Sequence, residues 1–149
     1  MQRAKSVMLI TVSAILLASA IAEAQQDLRV IDTEIQPVPG GVYSARIQLH
    51  TYRSYRHTVT IQKSVALEGA TSFVVRTECI RNGEKVTIGE ARVGDSTGWY
   101  IYACYDLFPG QAGTGDCLMR TTVDYNNEVQ ESDESAASNI WDRQVSIPR

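Results

Sequence analysis

Residues 123–135 read VDYNNEVQESDES, and residues 140–147 read IWDRQVSI. The first stretch leaves a short alternating run, 117–123, and crosses a hinge of Asp, Asn, Glu and Ser. The second alternates again, so the two predict the closing hairpin of an all-β sandwich. Upstream, runs of Val, Ile, Thr, Tyr and Phe recur between Gly, Pro and Asn, with no helical stripe of useful length. Strands are expected at 28–35, 42–52, 57–67, 72–80, 85–93, 99–105, 117–123 and 140–147. Asn82-Gly83 stands between two alternating runs, and a type I′ hairpin turn needs positive φ at both of its central residues.

Alternation also assigns faces. In 72–80 the inward set is Phe73, Val75 and Cys79, with Arg76 and Glu78 opposite; in 117–123 it is Cys117, Met119 and Val123, with Arg120 opposite. The aromatic run 99–105 is expected to bury Trp99, Ile101, Ala103 and Tyr105 and to turn Tyr100 and Tyr102 outward. Two sheets of this kind, packed face to face, fill a core without any cofactor.

The N-terminus carries Arg3 and Lys5, an apolar run over 7–21, and Ala22-Glu23-Ala24. This is the pattern of a signal peptide, 1–24, cleaved after Ala24. The run holds Thr11, Ser13 and Ser19 and, at about fifteen residues, falls short of the roughly 20 that a spanning helix needs. No Cys stands at the cleavage site to carry a lipid, and no second run of spanning length follows. The expectation is a secreted or periplasmic protein with no membrane span after cleavage.

The mature stretch 25–149 suits one domain. Taking Arg3, Lys5 and Glu23 from the 14 basic and 17 acidic residues leaves 12 and 16, a formal charge of −4. That balance disfavours nucleic acid or an anionic membrane as partner.

Asp27-Leu28-Arg29-Val30, the stretch 64–86 and the close at 123–134 together resemble the CARDB domain, an immunoglobulin-like cell-adhesion-related module of bacteria. Asp27-Leu28-Arg29-Val30 with Pro37 is similar to the family's opening strand. SVALEGATSFVVRTECIRNGEKV, 64–86, follows its plan of a strand end and a Gly-containing hairpin, with Leu67 where Asn is usual. Val123, Asp124, Asn126, Glu131, Ser132, Asp133 and Glu134 stand in the places of its closing signature, although Ser135, Ala136, Ala137 and Ser138 replace the Asn pair. The resemblance implies an immunoglobulin-like two-sheet antiparallel β-sandwich of about 7–8 strands over 25–149. It leaves 38–56 as an inserted hairpin. Its implied role is adhesion or binding of a protein or glycan partner, with no catalytic activity.

Two groups of residues are candidates for function. The hinge gathers Asp124, Asn126, Glu131, Asp133 and Glu134, oxygen donors that suit Ca²⁺, but in a spacing foreign to an EF-hand; turn capping by these side chains is the better-weighted reading. The inserted hairpin, reversing at Arg53-Ser54, would set Tyr52 against Tyr55 and His50 against His57. Tyr52, Arg53, Tyr55 and Arg56 then form a candidate contact surface, since Tyr and Arg are enriched in interface hot spots. A calcium-dependent or carbohydrate-binding surface domain is the alternative function.

Three cysteines in an exported chain predict one bridge and one free thiol. Cys104 and Cys117 flank the turn-rich DLFPGQAGTGD and are the favoured pair; Cys79 with either partner requires neighbouring strands and stays open. Catalysis ranks third, as a secreted enzyme: there is no G-x-S-x-G, no H-E-x-x-H and no phosphate loop.

Overall fold

The computed structural model describes residues 28–36, 46–63, 72–94, 99–129 and 136–149. The signal-peptide stretch, Val38 to the first half of the expected strand 42–52, and hinge residues Glu131, Asp133 and Glu134 lie outside them. Eight strands are seen among the described residues: β1 Leu28–Gln36, β2 Ile47–Gln48, β3 Tyr55–Lys63, β4 Phe73–Arg81, β5 Glu84–Val93, β6 Tyr100–Leu107, β7 Gly115–Thr122 and β8 Ile140–Ile147. They form a three-stranded sheet, β1-β3-β6, and a five-stranded sheet, β2-β8-β7-β4-β5. The expected sandwich is borne out, and so is its closing hairpin, with β7 antiparallel to β8 from Gly115↔Ile147 to Thr122↔Ile140. Among the described residues no helix is long and apolar enough to cross a membrane.

The core lies between the sheets. Leu28, Tyr55, Val59 and Ile61 from one sheet meet Phe73, Val75, Met119, Val145 and Ile147 from the other, all nearly or fully buried. The β4–β5 hairpin turns on Asn82 and Gly83, both at positive φ, as the dipeptide predicts. In β1 the register slips between Val30 and Asp32, a bulge that puts Ile31 outside and lets Leu28, Val30, Thr33 and Ile35 all face inward. A second bulge, at Thr77/Glu78 against β5, brings β5 onto β6, where the Phe108 N–H donates to the Ile88 carbonyl at 2.7 Å. A Cβ on Gly89 would lie 2.6 Å from the Asp106 carbonyl oxygen, so this seam closes only over glycine.

Two expectations are corrected by this topology. Residues 46–56 form no hairpin: β2 runs parallel to β8 in the larger sheet, while β3 begins in the smaller one. The stretch 49–54 therefore crosses from sheet to sheet, turning where the Arg53 N–H donates to the His50 carbonyl. Trp99 is 59% exposed, not core. It precedes the first residue of β6; alternation gives the side of a strand but not the point at which the opposing sheet ends.

The favoured Cys104–Cys117 pairing is also overturned. The bridge joins Cys79 to Cys117, with Cα atoms 5.7 Å apart, and Cys104 is a free, exposed thiol. Cys79 and Cys117 face inward on the neighbouring strands β4 and β7. Cys104 lies in the other sheet and faces outward. The loop between β6 and β7 is held by Arg81, whose guanidinium donates to the carbonyls of Ala112, Gly113, Gly115 and Asp116.

Candidate functional site

The crossing segment separates the four residues expected to act together. Tyr52 is 74% exposed, with the Arg53 guanidinium carbon 5.6 Å and the His50 ring centre 5.3 Å from its own ring centre. Tyr55 is fully buried, and its phenol oxygen accepts the His50 N–H at 2.9 Å. Arg56 points outward from β3 and pairs with Asp106 at 3.2 Å. Tyr52 and Arg53 thus remain surface candidates, Arg56 belongs to a sheet face, and Tyr55 is core, contrary to its expected place in the contact surface.

That sheet face is the outside of β1-β3-β6. Along β6 its side chains are Tyr100, Tyr102, Cys104 and Asp106, paired across to Gln62, Thr60, Thr58 and Arg56 of β3. Tyr100 and Tyr102 are exposed, as expected, and sit about 7 Å apart along the strand by its rise per residue. The Cys104 sulfur is 3.6 Å from both the Thr58 hydroxyl and an Arg56 nitrogen, and these hydrogen bonds lower the thiol's pKa.

At the start of the hinge, Asp124 has positive φ and is almost wholly buried. Its two carboxylate oxygens accept the backbone N–H groups of Glu128 and Val129, at 2.8 and 2.9 Å, and its carbonyl accepts that of Asn127. This is a carboxylate closing its own turn. Asn126 is exposed. Tyr125 donates from its phenol to Glu78 at 3.1 Å, beneath an Arg76 guanidinium 3.9 Å from its ring centre. Among the described residues no three His, Cys, Asp or Glu side chains gather as a metal site.

A cleft of about 600 Å³ opens at the β5–β6 seam, lined in part by Arg76, Glu90, Asp106, Phe108 and Gln111. Arg76 is paired with Glu90 at 2.8 Å and Asp106 with Arg56, so its charges are already neutralised within the chain.

A polar cluster inside the core has no counterpart in the sequence reading. His57 is fully buried, with Nδ1 3.2 Å from the Glu34 carbonyl and Nε2 3.2 Å from the Thr121 hydroxyl. Thr121 lies 2.9 Å from the Thr77 hydroxyl, which lies 2.7 Å from the Tyr105 phenol. The Tyr105 ring stands edge-on to the imidazole at 5.3 Å. Burial, reinforced by the Arg143 charge and partly opposed by the Glu34 carbonyl, lowers the His57 pKa to about 4. The available signal was alternation itself, since His57 shares the phase of Val59 and Ile61.

No protein-family model matches the chain, and no curated protein matches it. Among solved structures it is similar to the CARDB domain of a Pyrococcus furiosus protein, crystallised in complex with di-metal ions: TM-score 0.53, 21% identity, 84% of this chain and 96% of that one. The solution structure of the same domain gives a TM-score of 0.49 at 20% identity, over 83% of this chain and 96% of that one. A β-glucosidase from Listeria innocua in complex with glucose gives 0.44 at 13% identity, over 83% of this chain and 16% of that one. The crystallised archaeal domain shows the fold, so the resemblance read from the sequence is borne out as a shared β-sandwich.

Proposed function

We propose that the chain is an exported, non-catalytic binding or adhesion module whose protein or glycan partner rests on the aromatic start of β6. The observation that carries this reading is the exposure of Tyr100 and Tyr102, at 45 and 65%, on one face of the sheet beside Gln62 and Thr60. Large aromatic rings left in water together mark interaction surfaces, and they stack on sugars and peptides while flanking hydroxyls and amides orient the ligand. The leader pattern in 1–24 supports secretion or a periplasmic location, and the charge of −4 on 25–149 speaks against nucleic acid. Tyr52 and Arg53 form a second, smaller contact at the sheet crossing.

Glycan and peptide panels probed with the chain and with Tyr100→Ser/Tyr102→Ser test this reading. Binding at least about tenfold weaker in the variant is expected, with stability changed by less than about 0.5 kcal/mol because both side chains are outward. A ligand held equally well by both proteins removes the strip from the function.

A second reading is Ca²⁺-dependent binding through Asp124, Asn126, Glu131, Asp133 and Glu134, favoured by the di-metal complex of the archaeal neighbour. Against it stands Asp124, both of whose carboxylate oxygens already accept backbone N–H groups. Millimolar calcium is therefore expected to leave the thermal midpoint unchanged. A ligand bound to the native state alone raises that midpoint, so a concentration-dependent rise establishes the calcium reading instead.

A further inference from the structure

We propose that the sandwich carries a proton-sensitive latch between its sheets: a hydrogen-bond chain of one polarity, running from Tyr105 through Thr77 and Thr121 to His57, which holds while the imidazole is neutral and breaks when it gains a proton. His57 and Tyr105 come from β3 and β6, Thr77 and Thr121 from β4 and β7, so the chain crosses between sheets at both of its ends.

One atom sets the polarity. The Glu34 carbonyl oxygen can only accept, so the proton of the neutral imidazole sits on Nδ1 and donates to it. Nε2 is then an acceptor, and Thr121 gives it the single hydroxyl proton it has. The Thr121 oxygen in turn accepts from Thr77, and the Thr77 oxygen accepts from the Tyr105 phenol. Every hydroxyl uses its proton once, and no buried side-chain nitrogen or oxygen among the described residues is left without a partner.

A proton added to Nε2 sets two donors against each other at Thr121. Relief requires Thr121 to turn its proton off Nε2 toward Thr77 or Tyr105, its two hydroxyl neighbours, and one of those must then turn its own proton out of the cluster. The new charge is also buried. Around it β1 offers a carbonyl, β4 and β7 offer hydroxyls, and β6 offers a phenol whose burial raises its pKa and keeps it neutral. The charge that bears on it is Arg143 of β8, which repels. In the folded chain the His57 pKa is about 4, below the ordinary value of 6.5. The unfolded chain therefore takes the proton first: the latch holds fully above about pH 6.5, weakens as pH falls toward 4, and loses nothing more below that.

Nitrogen NMR of the labelled chain tests the latch directly. Expected at pH 7.5 is the Nδ1–H tautomer of His57, and a protonation midpoint about two units lower in the folded chain than in urea. An Nε2–H tautomer, or a midpoint unchanged by folding, overturns the proposal. Urea unfolding at pH 7.5 and pH 4 supplies a second readout against His57→Phe. The folding constant of the wild-type chain is expected to fall about a hundredfold further than that of the variant. Equal losses also overturn it, and where His57→Phe does not fold, the tautomer and midpoint decide alone.

Discussion

Replacing Cys79 and Cys117 together by Ala is expected to lower the stability of the domain by about 4 kcal/mol, whereas Cys104→Ser is expected to change it by less than about 0.5 kcal/mol. The bridge closes a loop of sequence separation 38. On chain-entropy grounds loops of 15 and 100 residues contribute about 3 and 4.7 kcal/mol, and this one falls between them. Both bridged cysteines also sit in the core, so their loss removes packing within the larger sheet. Cys104, by contrast, is exposed, and its sulfur meets Thr58 and Arg56 at 3.6 Å. Urea unfolding of the oxidised wild type and the two variants measures the difference. If Cys104→Ser destabilises as much as the double replacement, the bridge is wrongly placed and β4 and β7 are not neighbours.

The correct pair was legible in the sequence, through a signal that loop length overrode. Alternation put Ile101, Ala103 and Tyr105 inward and so Cys104 outward, while it put Cys79 and Cys117 inward. Two cysteines on opposite faces cannot meet, however short the segment between them. The turn-rich segment needed no bridge because Arg81, one position beyond the expected strand 72–80, satisfies its carbonyls. A guanidinium's reach across space leaves no mark on local sequence, which is why that clamp was invisible.

The same division holds for the rest of the molecule. Six of the expected strands and the Asn82-Gly83 turn follow from local chemistry and stand within a residue or two, whereas the expected strand 42–52 is reduced to Ile47–Gln48 among its described residues. The sheet to which a strand belongs is set by the whole core, and this is where the start of β3 departs from expectation: Tyr55 and His57 look like one arm of a decorated hairpin until β3 is seen to pair with β1 and β6. Tyrosine and histidine at a strand start read equally well as contact residues or as buried polar groups. Only the partners supplied from elsewhere, the His50 N–H, the Glu34 carbonyl and the Thr121 hydroxyl, distinguish the two.

Tyr55→Ala should therefore cost about 3 to 5 kcal/mol, the range of large aromatic truncations in a core, while Trp99→Ala should cost less than about 0.5 kcal/mol. Tyr55 is fully buried at the head of β3, opposite Leu107 of β6, and its loss both opens a cavity and leaves the His50 N–H without its acceptor. Tyr55→Phe separates the two contributions: it keeps the ring, removes the oxygen, and should cost about 1 to 3 kcal/mol for the backbone donor left unpaired. Trp99 has most of its surface in water, so its removal gives up little burial. Thermal melts of the three variants rank these losses without any ligand. An unfolded Trp99→Ala beside a Tyr55→Ala that melts like wild type would mean that β3 is out of phase by one residue, since a single-residue slip turns every inward side chain of a strand to solvent.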